Sequence, residues 1–327
     1  MKRFFMFLAP ILALPIVAIL SMAIGSADIP LDRFFGGLFG RAGFETEHAI
    51  LLYIRLPRTL GAILAGAALS LAGVLLQQVM DNPLAGPNTV GVNAGAGFFT
   101  VLVLSLLPAA TPHLSIAAFL GAFLTALLIL ALARLAGGGK STVILAGIAC
   151  TSLFGAGVSF FSILDTDVLS AYSAFSVGGL AAVKLSALPI PALLTLLALI
   201  GALLLSRPLS ALALGDGAAA ALGVRVRTVR TLAVLLAAMA AGAAISFAGL
   251  LGFVGLAVPH MTRRLYGSGL LKELLLAPPI GATLLLLADL FARTAFAPSD
   301  IPVGIVTAVL GAPFFLILLL GRRGSYA

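Results

Sequence analysis

The sequence predicts an all-α, polytopic membrane protein of about ten transmembrane helices. Three observations lead there. Hydrophobic residues make up 61% and charged residues only 9% of the 327 residues, with a mean hydropathy of +1.22, whereas a domain folded in water carries about 25% charged residues. Apolar stretches of roughly 20 residues recur along the chain, the length that a hydrocarbon core about 30 Å thick demands of a helix. The alternating segments of about ten residues that mark a membrane β-barrel are missing, and only helices would then satisfy every backbone polar group within lipid.

Charge and turn residues delimit the spans near 4–25, 58–80, 90–108, 113–135, 142–164, 187–206, 230–249, 252–265, 274–295 and 303–320. The first, in MKRFFMFLAPILALPIVAILSMAIG, sets Lys2 and Arg3 ahead of an apolar run, as a signal peptide does. The uncharged run from Phe4 to Ala27 is longer than an h-region of about 7–15 residues, so a retained span is expected. Between spans two and three lies QQVMDNPLAGPNTVGVNAGAG (77–97). Its Asn82-Pro83 and Gly86-Pro87 pairs mark turns, and Asn88, Thr89 or Asn93 offers a helix cap.

LARLAGGGKST (132–142) has a Lys-Ser after glycines, yet Arg134 stands where the Walker pattern needs its first Gly, and both flanks are apolar. It is read as a tight hairpin between spans four and five, and no ATP site is expected. The stretch from Thr231 to Met261 is too long for one helix and too short for two full ones. Gly249, Gly252, Gly255 and Pro259 predict that it breaks into a span and a shorter partner, a feature of transport pathways and equally of tight helix packing. A faint repeat links spans two and seven: RTL at 58–60 and 230–232, SLAGVL (70–75) and SFAGLL (246–251). An odd separation of five spans makes such a repeat inverted across the membrane.

With the N-terminus inside, ten spans place Lys2, Arg3, Arg134, Lys140, Arg207, Arg225, Arg227, Arg230, Arg263, Arg264, Lys272, Arg322 and Arg323 in the cytoplasm. Arg33, Arg41, Arg55, Arg58, Lys184 and Arg293 fall outside, so 13 of the 19 basic residues obey the positive-inside rule. The net charge of +8 belongs to those loops; without an aromatic-basic platform it does not point to nucleic acid.

Chemistry-bearing groups are few. The single cysteine, Cys150, permits neither an intramolecular disulfide nor a thiolate cluster. His48, His113 and His260 lack metal-ligand spacing, and no Gly-x-Ser-x-Gly elbow occurs; no catalytic residue and no metal site are expected. Asp289 lies within a span with Arg293 one turn later, which predicts an ion pair or a hydrogen bond near the outer face ahead of a functional site. So few buried acids argue against a proton-driven carrier. Arg55 and Arg58, in IRLPR, and Arg293 mark outer span ends. They read either as snorkelling anchors or as a positive rim that captures carboxylates of a soluble partner. LGDGAAAALGVRVRT (214–228) is polar and helix-capable in a cytoplasmic loop of about 207–229. Gly215 and Gly223 permit bends at its ends, and a helix of small residues can approach a partner's groove closely.

RLPRTLGAILAGAALSLAGVLLQQVMDNPLAGPNTVGVNAGAG, LGVRVRTVR, GFVGLAVPHMTRRL, LLLLADLFART and IPVGIVTAVLGAPFFLILLL together resemble the permeases of type II ABC importers. These are the FecCD-type proteins, which carry iron-siderophore complexes, haem and cobalamin, and the similarity runs from about residue 50 to 320. The resemblance implies one permease domain, 1–327, of ten helices in the cytoplasmic (inner) membrane of a prokaryote. It implies a second permease copy, identical or not, around a central pathway. Two cytoplasmic ATPase subunits would use ATP and Mg, neither bound by this chain, and a periplasmic or lipoprotein binding protein would deliver cargo from outside. The cargo implied is a metal chelate, a ferric siderophore first, with cobalamin or haem as alternatives and an ion-coupled secondary transporter as the rival class.

The resemblance also assigns roles. Gly215, Asp216, Gly217, Ala218, Leu222, Gly223 and Val224 correspond to the short helices that rest in a groove of the ATPase. Arg55, Arg58 and Arg293 match positions that meet acidic residues of the binding protein. Ser141 and Thr142 map to the cytoplasmic gate, and Gly155, Ser159, Ser162 and Thr307 to the pathway lining. Two departures stand out: Gly137-Gly138-Gly139 makes the gate hairpin flexible, and tryptophan is absent.

Overall fold

The computed structural model describes residues 2–137 and 139–321 and, among them, contains helices and no strand. In chain order the helices are α1 (Lys2–Ala23), α2 (Leu31–Leu38), α3 (Glu45–Ala49), α4 (Leu56–Met80), α5 (Val92–Leu106), α6 (Leu114–Leu135), α7 (Lys140–Leu164), α8 (Thr166–Val177), α9 (Pro189–Leu204), α10 (Ser206–Ala211), α11 (Asp216–Ala221), α12 (Val226–Ala248), α13 (Val254–Tyr266), α14 (Leu270–Thr294) and α15 (Val303–Gly321). The ten expected spans map in order onto α1, α4, α5, α6, α7, α9, α12, α13, α14 and α15. Among the described residues, six helical stretches are long and apolar enough to cross a membrane by length and composition. Ala9–Ala23, Val92–Leu106 and Val303–Phe314 are shorter apolar helices. Gly138, Arg322 and Arg323 lie outside the described residues.

The break expected after span seven is present. α12 stops at Ala248, Gly249 turns the chain with φ +71°, and α13 starts at Val254. α2, α3 and α8 were not anticipated. α3 continues through a π-helical turn, Ile50–Arg55, directly into α4, so Arg55 and Arg58 sit inside a continuous helix rather than at its mouth. A further helix, α8, follows α7 after one extended residue; Asp165 caps it by accepting from the backbone N–H groups of Asp167 (2.8 Å) and Val168 (3.4 Å).

α4 is the axial helix, apolar on every side and buried along most of its length, with α14, α12, α13 and α9 packed around it. Small residues make this possible, since lipid offers helices no hydrophobic drive to associate and close backbone approach must supply the contact. A Cβ on Gly73 would overlap the carbonyl of Gly255 in α13, and one on Gly66 would overlap that of Gly281 in α14. α4 and α12 run antiparallel: a side chain on Gly61, near the start of α4, would meet Phe247, near the end of α12. Opposed directions are what an inverted repeat of these two helices requires.

Candidate functional site

The loop after α9 folds into α10, a 3-10 turn (Leu212–Leu214) and α11. Leu209, Leu212 and Ala219 are buried and anchor it. Its outer face carries Asp216, Gly217, Ala218, Leu222 and Gly223 in solvent, with Gly215 and Val224 half-buried. Leu214 and Leu222 are 66% and 65% exposed. Gly215 and Gly223 bound α11 with φ of +93° and +81°, a region that disfavours side chains, and open space surrounds both. The result is a small apolar knob standing off the membrane domain.

One ion pair holds the knob. Arg230, in the second turn of α12, donates from Nη2 to both carboxylate oxygens of Asp216, at 2.7 and 2.9 Å. The pair ties α11 to α12, which packs on α4, α6 and α9. Beside the knob, a polar cleft of about 460 Å³ is bounded by Gln78, Asp81, Ser210, Arg263 and Glu273. Arg263 donates to Glu273 (2.7 Å) and to the side chain of Gln77, tying α13 to α14 and α4.

The residues expected at the gate and pathway fall on two helices. Ser141 is exposed and Thr142 half-buried at the start of α7. Gly155 and Ser159 are exposed on the same helix, with open space where a Gly155 side chain would stand. Ser162 is buried, and its hydroxyl has no partner. Thr307 is in α15, where it donates to the Gly304 carbonyl at 3.0 Å. Within one chain these sets stay apart: α7 packs on α5, α6 and α8, whereas α15 packs on α14 and α13. Among the described residues no three His, Cys, Asp or Glu side chains gather as metal ligands would.

The outer arginines require a correction. Arg55, Arg58 and Arg293 are 2%, 5% and 3% exposed, so they form no exposed rim. Arg58 Nε stands 3.0 Å from each oxygen of Asp289, and its Nη1 donates to Asp300 at 2.6 Å. Arg293 donates from Nη2 to the Ser21 carbonyl and hydroxyl at 2.6 and 2.7 Å, with its Nε 3.7 Å from Asp289. Arg55 donates to the carbonyls of Met22 and Ala23, groups at the end of α1 that helix geometry leaves unpaired, and to that of Ala27 in the segment beyond. The cause is largely long-range: apart from Asp289, four residues before Arg293, their partners lie far away in sequence, and burial of an arginine demands such partners.

A model of the FecCD transport family matches residues 13–321. The chain belongs to that family. The hemin transport system permease HmuU of Yersinia pestis is 38% identical to it over 94% of each chain. The iron(3+)-hydroxamate import permease FhuB of Bacillus subtilis is 35% identical over 94% of this chain and 80% of its own length. Among solved structures, an inward-facing metal-chelate type ABC transporter superposes with a TM-score of 0.86 at 30% identity, covering 96% of this chain and 98% of that one. The FecCD assignment agrees with the ten-span architecture and with a chain that is a membrane permease. Sequence reasoning missed Arg230, Gln77, Arg263, Glu273 and Asp300 in the polar frame of this FecCD permease. The Asp216–Arg230 and Arg263–Glu273 pairs left local signals, opposite charges 14 and 10 residues apart.

Proposed function

We propose that this chain is the membrane-spanning subunit of an ATP-driven ABC importer that carries a metal chelate, a ferric siderophore complex, across the cytoplasmic membrane. The observation that carries this reading is the family match over almost the whole chain. It is supported by relatives named for iron(3+)-hydroxamate and Fe(3+)-citrate import. A chelated metal brings its own ligands, which suits a chain poor in His and Cys.

In this reading the knob of Gly215, Asp216, Gly217, Ala218, Leu222, Gly223 and Val224 docks into a cytoplasmic ATPase, and each of two permease copies engages one ATPase subunit. ATP and Mg act there. Asp216 and Arg230 pass the displacement to α12. The exposed small-residue face of α7 (Gly155, Ser159) and the Thr307 region of α15 would meet across a pathway shared by the two copies, with Ser141 and Thr142 at its cytoplasmic end. The buried arginines brace the outer pole on which a soluble binding protein lands. Docking through Arg55, Arg58 and Arg293 themselves would require them to exchange internal partners.

Haem is the second reading, favoured by the 38% identity to a hemin permease. One experiment separates the readings. The permease is reconstituted in proteoliposomes with its ATPase and binding protein, and uptake of ferric siderophore, haem and cobalamin is compared. Uptake of the siderophore with ATP, insensitive to a proton ionophore, is the expected result. Uptake without a nucleotide-hydrolysing partner would replace it with an ion-coupled carrier.

A further inference from the structure

The cytoplasmic pole holds a basic cavity of which the proposed transport cycle uses only Arg230. It encloses about 530 Å³ between the end of α6, the start of α7 and the start of α12. Arg134, Arg227, Arg230, Thr228 and Thr231 form its polar side, and among the described residues no carboxylate lines it. Arg134 and Arg227 are exposed, and Arg134 reaches the Thr231 hydroxyl at 3.3 Å. Arg230 is only 5% exposed; Asp216 engages one of its terminal nitrogens, and its Nε has no partner. Of the cavity's three guanidinium groups, Arg230 pairs with a carboxylate that is itself half in solvent, and Arg134 reaches a hydroxyl. The first turn of α12, a helix of 23 residues, adds the positive end of its dipole. Guanidinium groups, hydroxyls and a helix N-terminus are together the chemistry that recognises a phosphate group.

The remaining walls decide where that phosphate comes from. Leu130, Val143 and Leu232 line the cavity, and Leu132 and Leu135 stand exposed beside it at the end of α6. A free anion has no use for these surfaces, whereas acyl chains would pack on them. Basic pockets between transmembrane helices on the cytoplasmic side are sites for anionic lipid headgroups. We propose that this cavity binds the phosphate of an anionic phospholipid, with Arg134 and Arg227 clamping it, Thr228 and Thr231 donating to it, and its chains lying along α6 and α12.

The test titrates delipidated protein in detergent with phosphatidylglycerol, phosphatidylcholine or inorganic phosphate, reading retained adducts by native mass spectrometry and the Tm shift. Phosphatidylglycerol should be retained and raise Tm. R134Q/R227Q should weaken its binding about tenfold or more, and R134K/R227K should restore most of the affinity. R207Q/R264Q removes two exposed arginines of the same pole outside the cavity and should bind normally. Should the double cavity variant not be recovered folded, R227Q alone must show a smaller loss in the same direction. Equal loss in R207Q/R264Q, equal retention of phosphatidylcholine, or full protection by inorganic phosphate alone would each overturn the assignment.

Discussion

Arg58 Nε lies 3.0 Å from both carboxylate oxygens of Asp289, 231 residues further along the chain. Asp289 is wholly buried, and Arg293 approaches it from the next turn of the same helix. Arg58 also holds Asp300, and Arg293 holds Ser21, whose hydroxyl pairs with Thr59 at 2.8 Å. One polar cluster thus fastens α1, α4, α14 and the segment leading into α15. Buried charges are expensive alone and tolerable only as a set.

Removing one member should therefore cost more than removing two. D289A leaves two buried guanidinium groups without their shared anion and should destabilise the permease by about 3–5 kcal/mol. Combining D289A with R58A should recover part of that loss, giving a coupling energy of about 0.5–3 kcal/mol in a double-mutant cycle. Unfolding in detergent measures both. R58K keeps the charge yet loses the planar fork, so it should fall between wild type and R58A. Additive losses would mean that the cluster is not a unit.

The close contacts around α4 predict an asymmetry among glycines. G73A drives a methyl group into the Gly255 carbonyl and must separate α4 from α13, at a cost of about 1–3 kcal/mol or more. G217A, on the exposed face of α11 with nothing within 4 Å, should be neutral or gain up to about 1 kcal/mol of helix propensity. Comparing the Tm of the two variants tests whether packing rather than composition places glycine in α4.

How much of this was legible in the sequence depends on the range of the interactions. The ten spans could be read because lipid imposes length and apolarity on each segment separately, and the Gly249–Gly252 break because a turn is local chemistry. The knob could be read from Gly215 and Gly223 flanking an alanine run. Arg55, Arg58 and Arg293 were misplaced as an exposed rim because Asp289, Asp300 and the carbonyls ending α1 become their neighbours only after folding. α8 escaped because it is short and mostly exposed, although Asp165 two residues before Asp167 was a capping signal that could have revealed it. That α7 and α15 lie apart follows from packing order, which no single segment encodes.

The knob should fail in function before it fails in fold. L222D places a charge on an exposed apolar side chain, and G223V forces a branched residue into a left-handed backbone at a local cost of about 1–2 kcal/mol. Both should abolish ATPase co-purification and substrate-stimulated ATP hydrolysis while leaving the Tm of the permease within a few degrees. Normal hydrolysis in both variants would remove α11 from the coupling role.

Asp216 and Arg230 separate transmission from docking. The Asp216 carboxylate is about half exposed but Arg230 is buried, so D216N, which keeps one acceptor oxygen, should cost about 1–3 kcal/mol of stability. ATPase binding should persist, since the apolar face of α11 is unchanged. Transport per ATP hydrolysed should fall several-fold, because α11 would move without α12. Co-reconstitution, with uptake and phosphate release measured on the same vesicles, gives that ratio; an unchanged ratio would reduce the pair to a local brace.

The pathway assignment can be tested through the lone native cysteine. Cys150 is buried in α7, so the folded protein should react slowly with a water-soluble maleimide and needs little background correction. S159C, on the exposed face of α7, should be labelled in the assembled transporter if water reaches that face from the pathway. S162C, buried three residues further on, should not be labelled without unfolding. Leu153, also exposed on α7, supplies the control. L153C should react as S159C does if both faces meet water, and should stay unlabelled if Leu153 faces lipid. Labelling confined to S159C, and reduced when ATP and the binding protein are added, would place Ser159 on a route that opens and closes. An unreactive S159C in every state would assign that face of α7 to lipid or to the second copy, and the pathway would have to be sought elsewhere.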